Sequence, residues 1–350
     1  MTARAFIWIA PAITLTAFTV AACRPAADRA PGGDTAKTGA AKTTGPAGQY
    51  AADGGALATG ATRFDPAAWK APDSTAIPGD SLGAAIRRGL ALVLHTGDSL
   101  PRYAPGKITC SNCHLDAGRN PDAAPFAGAA ARFPKYMDRT GAVIGLADRV
   151  NYCFTRSLAG SKLPVDSREM QDILAYITWL STGVPVGEGK ALPGAEGLHT
   201  MAATLDGDTA RGREVFGAKC VTCHGADGQG NPGFPALWGA RSFSVGASMA
   251  RRGKAASFIW HNMPFGQGRS LTPQQAYDVA AYIDARPRPD SPGKEHDWPT
   301  GGAPADVPYA TAGHAAYLPP PTIPRQRAAE AIVAKPAPVA RGTGGAGRSR

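Results

Sequence analysis

Two five-residue stretches, Cys110-Ser111-Asn112-Cys113-His114 and Cys220-Val221-Thr222-Cys223-His224, decide the reading of this chain. Both have the spacing C-x-x-C-H, at which two thiols form thioethers to one haem edge and the histidine supplies a nitrogen to the iron. A short helical turn sets both sulfurs against the same edge and aims the imidazole at the metal. One such motif would also suit half a zinc site or a redox dithiol. Two of them behind an export segment point to two covalently bound haem c groups, attached through Cys110, Cys113, Cys220 and Cys223, with His114 and His224 as iron ligands.

The ends of the 350-residue chain differ from its middle. Arg4 precedes an apolar run from Phe6 to Val20, and Val20-Ala21-Ala22-Cys23 resembles a bacterial lipobox. Residues 1–22 are expected to be a signal peptide and Cys23 the lipidated first residue of the mature protein. The alternative is a plain transmembrane anchor. Either places the body outside the cytoplasm, and the lipoprotein reading makes it periplasmic and membrane-anchored. Residues 23–64 are a low-complexity tether, and 291–350 are rich in Pro and Gly, with Pro319-Pro320-Pro321 among them. Neither stretch has the apolar periodicity needed to offset chain entropy, so both are expected to be disordered. The formal net charge is +10. With no basic helix or aromatic platform in an exported chain, nucleic acid is excluded as a partner. Anionic small substrates or acidic membrane surfaces fit better.

Between these ends the patterning is helical. Asp80 and Ser81 cap a helix predicted to run to His95, with Leu82, Ile86, Leu90 and Val93 on one face and Gly97 as the stop. Further helices are predicted over 147–158 and from the D-x-x-E sequence at Asp166. That second helix puts Met170, Ile173, Leu174 and Ile177 on one face and ends near Gly183. The order partly repeats after a Gly- and Pro-rich linker at 185–205: a helix over 208–217, the second haem motif, and a closing helix. The closing helix opens at Thr272-Pro273-Gln274-Gln275, a T-x-x-Q cap with Pro at the first helical position. No alternating strand pattern is present. The expected fold is all-α: two tandem cytochrome c-like domains, 65–190 and 191–290, each wrapped round one haem.

The sixth ligand of each iron separates electron transfer from chemistry. Met263, followed by Pro264 in the loop before the closing helix, is the expected ligand of the second haem. His261 is its rival, and Met249 a weaker one. Near the first haem, residues 115–165 offer only Met137 and Cys153. Once the two haems and the lipid site are satisfied, Cys153 has no disulfide partner. It is either a buried free thiol or an iron ligand. Its helix would align Arg149, Cys153 and Ser157, with Arg156 beside them. A thiol flanked by arginines is biased towards thiolate, the form that binds iron or acts as a nucleophile. Arg132, Lys135 and Arg139 add positive charge, so the residues imply a Cys-ligated haem with an anion-binding wall.

Residues 80–285 resemble the dihaem thiosulfate dehydrogenases. The likeness rests on Cys110 to Gly118 (Cys-Ser-Asn-Cys-His-Leu-Asp-Ala-Gly), Asn151-Tyr-Cys-Phe-Thr-Arg-Ser157, Asp166-Ser-Arg-Glu-Met170 and Asn262-Met-Pro-Phe-Gly266. The resemblance implies His114/Cys153 ligation at a catalytic haem and His224/Met263 ligation at an electron-exit haem. It also implies thiosulfate contacts from Arg139, Arg149 and Ser157, tetrathionate as product, and an external acceptor such as a small cytochrome c. Some relatives carry a Lys immediately before the Met as an alternative ligand. Asn262 stands there in this chain and removes the basis for such switching. The reverse reaction, tetrathionate reduction, stays open at this level, as does a dihaem electron carrier with no substrate of its own. Cys153 beside arginines counts against the carrier, and permanent Cys ligation suits a peroxidase badly.

Overall fold

The framework of each lobe is set by one close helix crossing, and both lobes use the same residues to make it. A computed structural model describes residues 64–199, 201 and 204–324. The signal segment, Cys23 and the tether up to residue 63 therefore lie outside the described residues. Among the described residues no helix is long and apolar enough to cross a membrane.

In the first lobe α1 (Ser81–Leu94) starts at Asp80, whose carboxylate accepts the Gly83 N–H at 2.8 Å. A short turn α2 (Thr96–Ser99) leads to the first haem motif and to α3 (Leu115–Gly118). A small antiparallel hairpin, β1 (Lys135–Met137) with β2 (Ala142–Ile144), precedes α4 (Leu146–Arg156) and α5 (Arg168–Trp179). The second lobe has α6 (Thr209–Lys219), α7 (Val221–His224), α8 (Arg252–Asn262) and α9 (Pro273–Asp284). The helix-dominated architecture expected from the patterning is present, with the hairpin as an addition.

Two local details differ from expectation. The cap of α5 is Ser167, whose hydroxyl accepts the Met170 N–H at 3.2 Å. On α1, Ile86 and Val93 are buried but Leu82 is 59% exposed, because the crossing buries only the middle and end of the helix.

At that crossing a Cβ on Gly89 would lie 1.9 Å from the Asp172 carbonyl oxygen and 2.8 Å from the Tyr176 Cβ. In the second lobe a Cβ on Gly212 would lie 1.9 Å from the Asp278 carbonyl oxygen and 2.9 Å from the Tyr282 Cβ. The preceding arginines repeat as well. Arg88 forks onto Asp172 with both bonds at 2.7 Å, and Arg211 onto Asp278 at 2.8 and 2.9 Å. The shared pattern is Arg-Gly on the opening helix against Asp-x-x-x-Tyr on the closing one. Only glycine lets the backbones approach this closely, and the bidentate pair fixes the register.

The segment after α9 departs from the predicted disorder. Residues 291–324 are folded: β3 (Arg288–Pro289) pairs in parallel with β4 (Thr322–Ile323), and Trp298, Val307 and Tyr309 pack with Val245. This segment is held by a few long-range contacts and has no periodic apolar face, so composition alone misreads it. The 185–199 stretch is likewise packed. Leu192 and Leu198 are buried, and Arg132 Nη1 donates to the Ala195 carbonyl at 2.6 Å.

Gly89→Ala or Gly212→Ala should destabilise its lobe by about 1–3 kcal/mol or more, since the methyl meets backbone that cannot move aside. Denaturant titration would read this as a lower midpoint. Gly217→Ala, with open space round its Cβ position, should leave the midpoint in place.

Candidate active site

Each histidine of the two motifs is oriented by a carbonyl. His114 Nδ1–H donates to the Ala124 carbonyl at 2.5 Å, and His224 Nδ1–H to the Pro235 carbonyl at 3.0 Å. A carbonyl only accepts, so Nδ1 carries the proton and the Nε2 lone pair is left for a metal. Among the described residues no three His, Cys, Asp or Glu side chains converge as they would on a bare ion.

Beside the motifs lies a cavity of about 530 Å³, lined by Cys113 of the first motif and by Cys220, Cys223 and His224 of the second. The rest of its wall is largely apolar and includes Leu90, Ile108, Phe243, Val279 and Ile283. Close-packed interiors do not leave voids on this scale. An apolar space with thiols at its edge and an imidazole on its wall fits a covalently held macrocycle. Met263 and Met249 both stand on the wall. His261 does not; its Nδ1–H donates to the Ser257 carbonyl at 2.8 Å and its ring faces His199.

Helix α4 carries the other sulfur. Asn151 pins it to the following loop, donating to the Leu163 carbonyl at 2.9 Å and accepting the Leu163 N–H at 2.8 Å. One turn along, Arg149 Nη1 lies 2.8 Å from Cys153 Sγ. Burial pushes the thiols of Cys110 and Cys113 up to about 11 and about 12. Burial acts on Cys153 in the same direction, but the Arg149 charge and then His114 outweigh it and bring the thiol down to about 6. The Arg149 guanidinium therefore biases Cys153 towards the thiolate, and Cys153 faces His114. Ser157 ends α4, and its N–H donates to the Cys153 carbonyl at 2.8 Å.

The remaining cations divide into two groups. Arg139 and Arg156 are gathered by Asp297, a residue the sequence reading assigned to a disordered tail. Its carboxylate accepts from Arg139 Nε at 3.0 Å, Arg156 Nη2 at 3.0 Å, Tyr152 Oη at 2.7 Å and Tyr309 Oη at 2.8 Å. Arg139 Nη2 also donates to the Gly246 carbonyl at 2.6 Å, and its guanidinium stacks on Trp298. Among the described hydrogen bonds Arg139 Nη1 has none. Arg132 and Lys135 form the second group. Burial lowers both, and Arg149 adds repulsion at each, which places three cations near one another, with Glu196 acting against this at Arg132.

Two helical lobes, each built on one C-x-x-C-H motif, define a dihaem c-type cytochrome. Residues 102–186 match the family model "SoxA/TsdA, cytochrome c domain", and 209–286 match "Cytochrome c". Thiosulfate dehydrogenase of Psychrobacter arcticus is 42% identical over 244 residues, covering 68% of this chain and 74% of that one. The enzyme of the same name from Allochromatium vinosum is 40% identical over 228 residues, covering 62% and 83%. The structure of thiosulfate dehydrogenase TsdBA from Marichromatium purpuratum superposes with a TM-score of 0.62 at 32% identity, over 71% of this chain and 57% of that one. The chain belongs to the thiosulfate dehydrogenase family. Its two cytochrome c domains carry one covalent haem c each.

Sequence reasoning overlooked Asp297, Tyr152 and Tyr309. The only signal was Asp297-Trp298, a carboxylate and an indole standing in a Pro- and Gly-rich stretch. Burial works against the Asp297 carboxylate, but Arg139, Tyr152 and Arg156 outweigh it and hold its pKa below the usual value. A depressed carboxyl contributes stability in full above its unfolded pKa near 4 and loses it as pH falls through the folded value. Asp297→Ala strands two guanidiniums and should cost about 3–5 kcal/mol at pH 7. That lowers Tm by on the order of 10 °C. The gap between variant and wild type should narrow below about pH 4, as thermal melts across pH would record.

Proposed function

We propose that this protein oxidises thiosulfate to tetrathionate at a first haem ligated by His114 and Cys153, and passes electrons on through a second haem ligated by His224 and Met263. The observation that carries the proposal is the placement of Cys153 Sγ, 2.8 Å from Arg149 Nη1 and facing His114, where the guanidinium favours the thiolate form. Haem at each site supplies a one-electron acceptor, and two together match the two electrons of the coupling.

Thiosulfate is a dianion, so joining two of them is first an electrostatic problem. Arg149, Arg139 and the Ser157 hydroxyl are the groups assigned to hold the first molecule. Fixed cations lower the repulsion without reorganising during the reaction. The Cys153 thiolate then forms a sulfur–sulfur bond to the sulfane sulfur of that molecule, and two electrons leave. The thiolate and the dianion together bear three negative charges. The Cys153 thiosulfonate bears one, and the departed electrons account for the other two. The sulfane sulfur of a second thiosulfate attacks the bound sulfane sulfur, the Cys153–sulfur bond breaks, tetrathionate leaves and the thiolate returns. No proton is needed at any step.

An external acceptor, such as a small cytochrome c, takes the electrons from the second site. Export fits this chemistry: the charged Arg4, the apolar run after it and the lipobox-like stretch ending at Cys23 support a periplasmic, lipid-anchored reading.

Cys153→Gly should keep both haems, seen in the pyridine haemochrome spectrum, and lose thiosulfate-dependent reduction of an artificial acceptor. Full turnover by that variant would exclude Cys153 as the covalent sulfur. Arg149→Gln should lower kcat/KM roughly 10- to 100-fold. Product identification with thiosulfate, and the reverse assay with tetrathionate, decide the direction.

A further inference from the structure

Asn262 stands at the end of α8, directly before Met263, and is 6% exposed. Although it belongs to the second lobe, its side chain is bonded to the first. Nδ2 donates to the Asp122 carbonyl at 3.0 Å and to the Phe258 carbonyl of its own helix at 3.1 Å, while Oδ1 accepts from Asn120 Nδ2 at 3.2 Å. Two carbonyl acceptors fix which end of the amide is nitrogen. Asn120 is itself fixed, since its Oδ1 accepts the Asp122 N–H at 2.9 Å.

Two residues further on, Ala124 supplies the carbonyl that orients His114. Ala124 has φ +49°, a left-handed conformation that a non-glycine residue keeps only when its surroundings impose it. Those surroundings come from both lobes. Ala123, Leu198 and Phe258 form a buried apolar cluster against which Leu115, Ala124, Met249 and Met263 pack. Within this small region lie the turn that orients one axial histidine and the turn that presents the other haem's methionine.

We infer that Asn262 is a positioning residue shared by both haem sites: it holds loop 120–124 so that Ala124 orients His114, and the same bonds hold the Met263 turn. The inference rests on His114 and Met263 being iron ligands, as proposed above. The hydrogen bond from an axial histidine to its carbonyl sets the basicity and orientation of the imidazole, and these tune the potential. A change in the second lobe therefore reaches the first haem through this contact.

The test is redox titration of the full-length holoprotein, following each haem by its own low-spin EPR signal. Asn262→Leu keeps the branched shape and removes all three bonds. It should raise the midpoint of the haem at Cys110/Cys113, through weaker donation by His114, and also shift the haem at Cys220/Cys223. Asn120→Ser keeps the turn to the Asp122 N–H but cannot reach Asn262. Although it lies in the first lobe, it should move the methionine-ligated signal, and it carries the test alone if Asn262→Leu fails to load haem. The inference is overturned if each substitution moves only the haem of its own lobe. A wild-type protein without the methionine-ligand signature would overturn it too. That failure is distinguishable, because it belongs to the ligand assignment and shows before any substitution is made.

Discussion

A thiolate held in a protein interior has to be matched by a positive charge, and in this protein the match is Arg149 at 2.8 Å from Cys153. Much of the first lobe serves that pair. The two groups share one face of α4 at i and i+4, so the helix itself sets their separation. The helix is fixed at Asn151 by two bonds to Leu163 and near its end by Tyr152 and Arg156 to Asp297. Phe154, fully buried, packs into the core. Each residue of Asn151-Tyr152-Cys153-Phe154 thus has a separate task, and together they leave α4 one orientation, with the sulfur towards His114.

The basic residues of the 132–156 window look alike in the sequence but separate physically in the fold. Asp297 binds Arg139 and Arg156 and is 3% exposed at its side chain, so these cations are largely spent on joining the C-terminal segment to the first lobe. Arg149 serves Cys153, and among the described ion pairs Arg132 and Lys135 have none. The positive potential over Cys153 is therefore narrower than a count of charges suggests. It is also better defined, because cations held by fixed acceptors do not reorganise when an anion arrives.

What was legible in the sequence was local or periodic. The haem motifs, the Asp80 and Thr272 caps, the buried face of α9 and the alignment of Arg149 with Cys153 all follow from spacings of a few residues. Contacts between distant segments were not legible. The bond from Arg139 to Asp297 spans 158 residues, and the segment that supplies Asp297 has neither helical nor strand period. A carboxylate that meets two guanidiniums and two phenols needs no repeating pattern in its own sequence, so composition made the segment look disordered. The helix crossings are an intermediate case. Arg88-Gly89 and Arg211-Gly212 can be read as a pair, but their meaning depends on Asp172 and Asp278 lying opposite.

The repeated crossing also explains how one architecture supports two unlike sites. Arg-Gly against Asp-x-x-x-Tyr fixes the opening and closing helices of each lobe and therefore the position of the C-x-x-C-H turn between them. It leaves the intervening segment unconstrained. In the first lobe that segment is the hairpin and α4, which bring the Cys153 sulfur and its guanidinium. In the second it is α8 and the turn after it, which bring a neutral thioether from Met263. A thiolate donor stabilises oxidised iron, whereas a methionine raises the potential. What distinguishes the two sites is carried by these inserted segments, not by the frame that both lobes share.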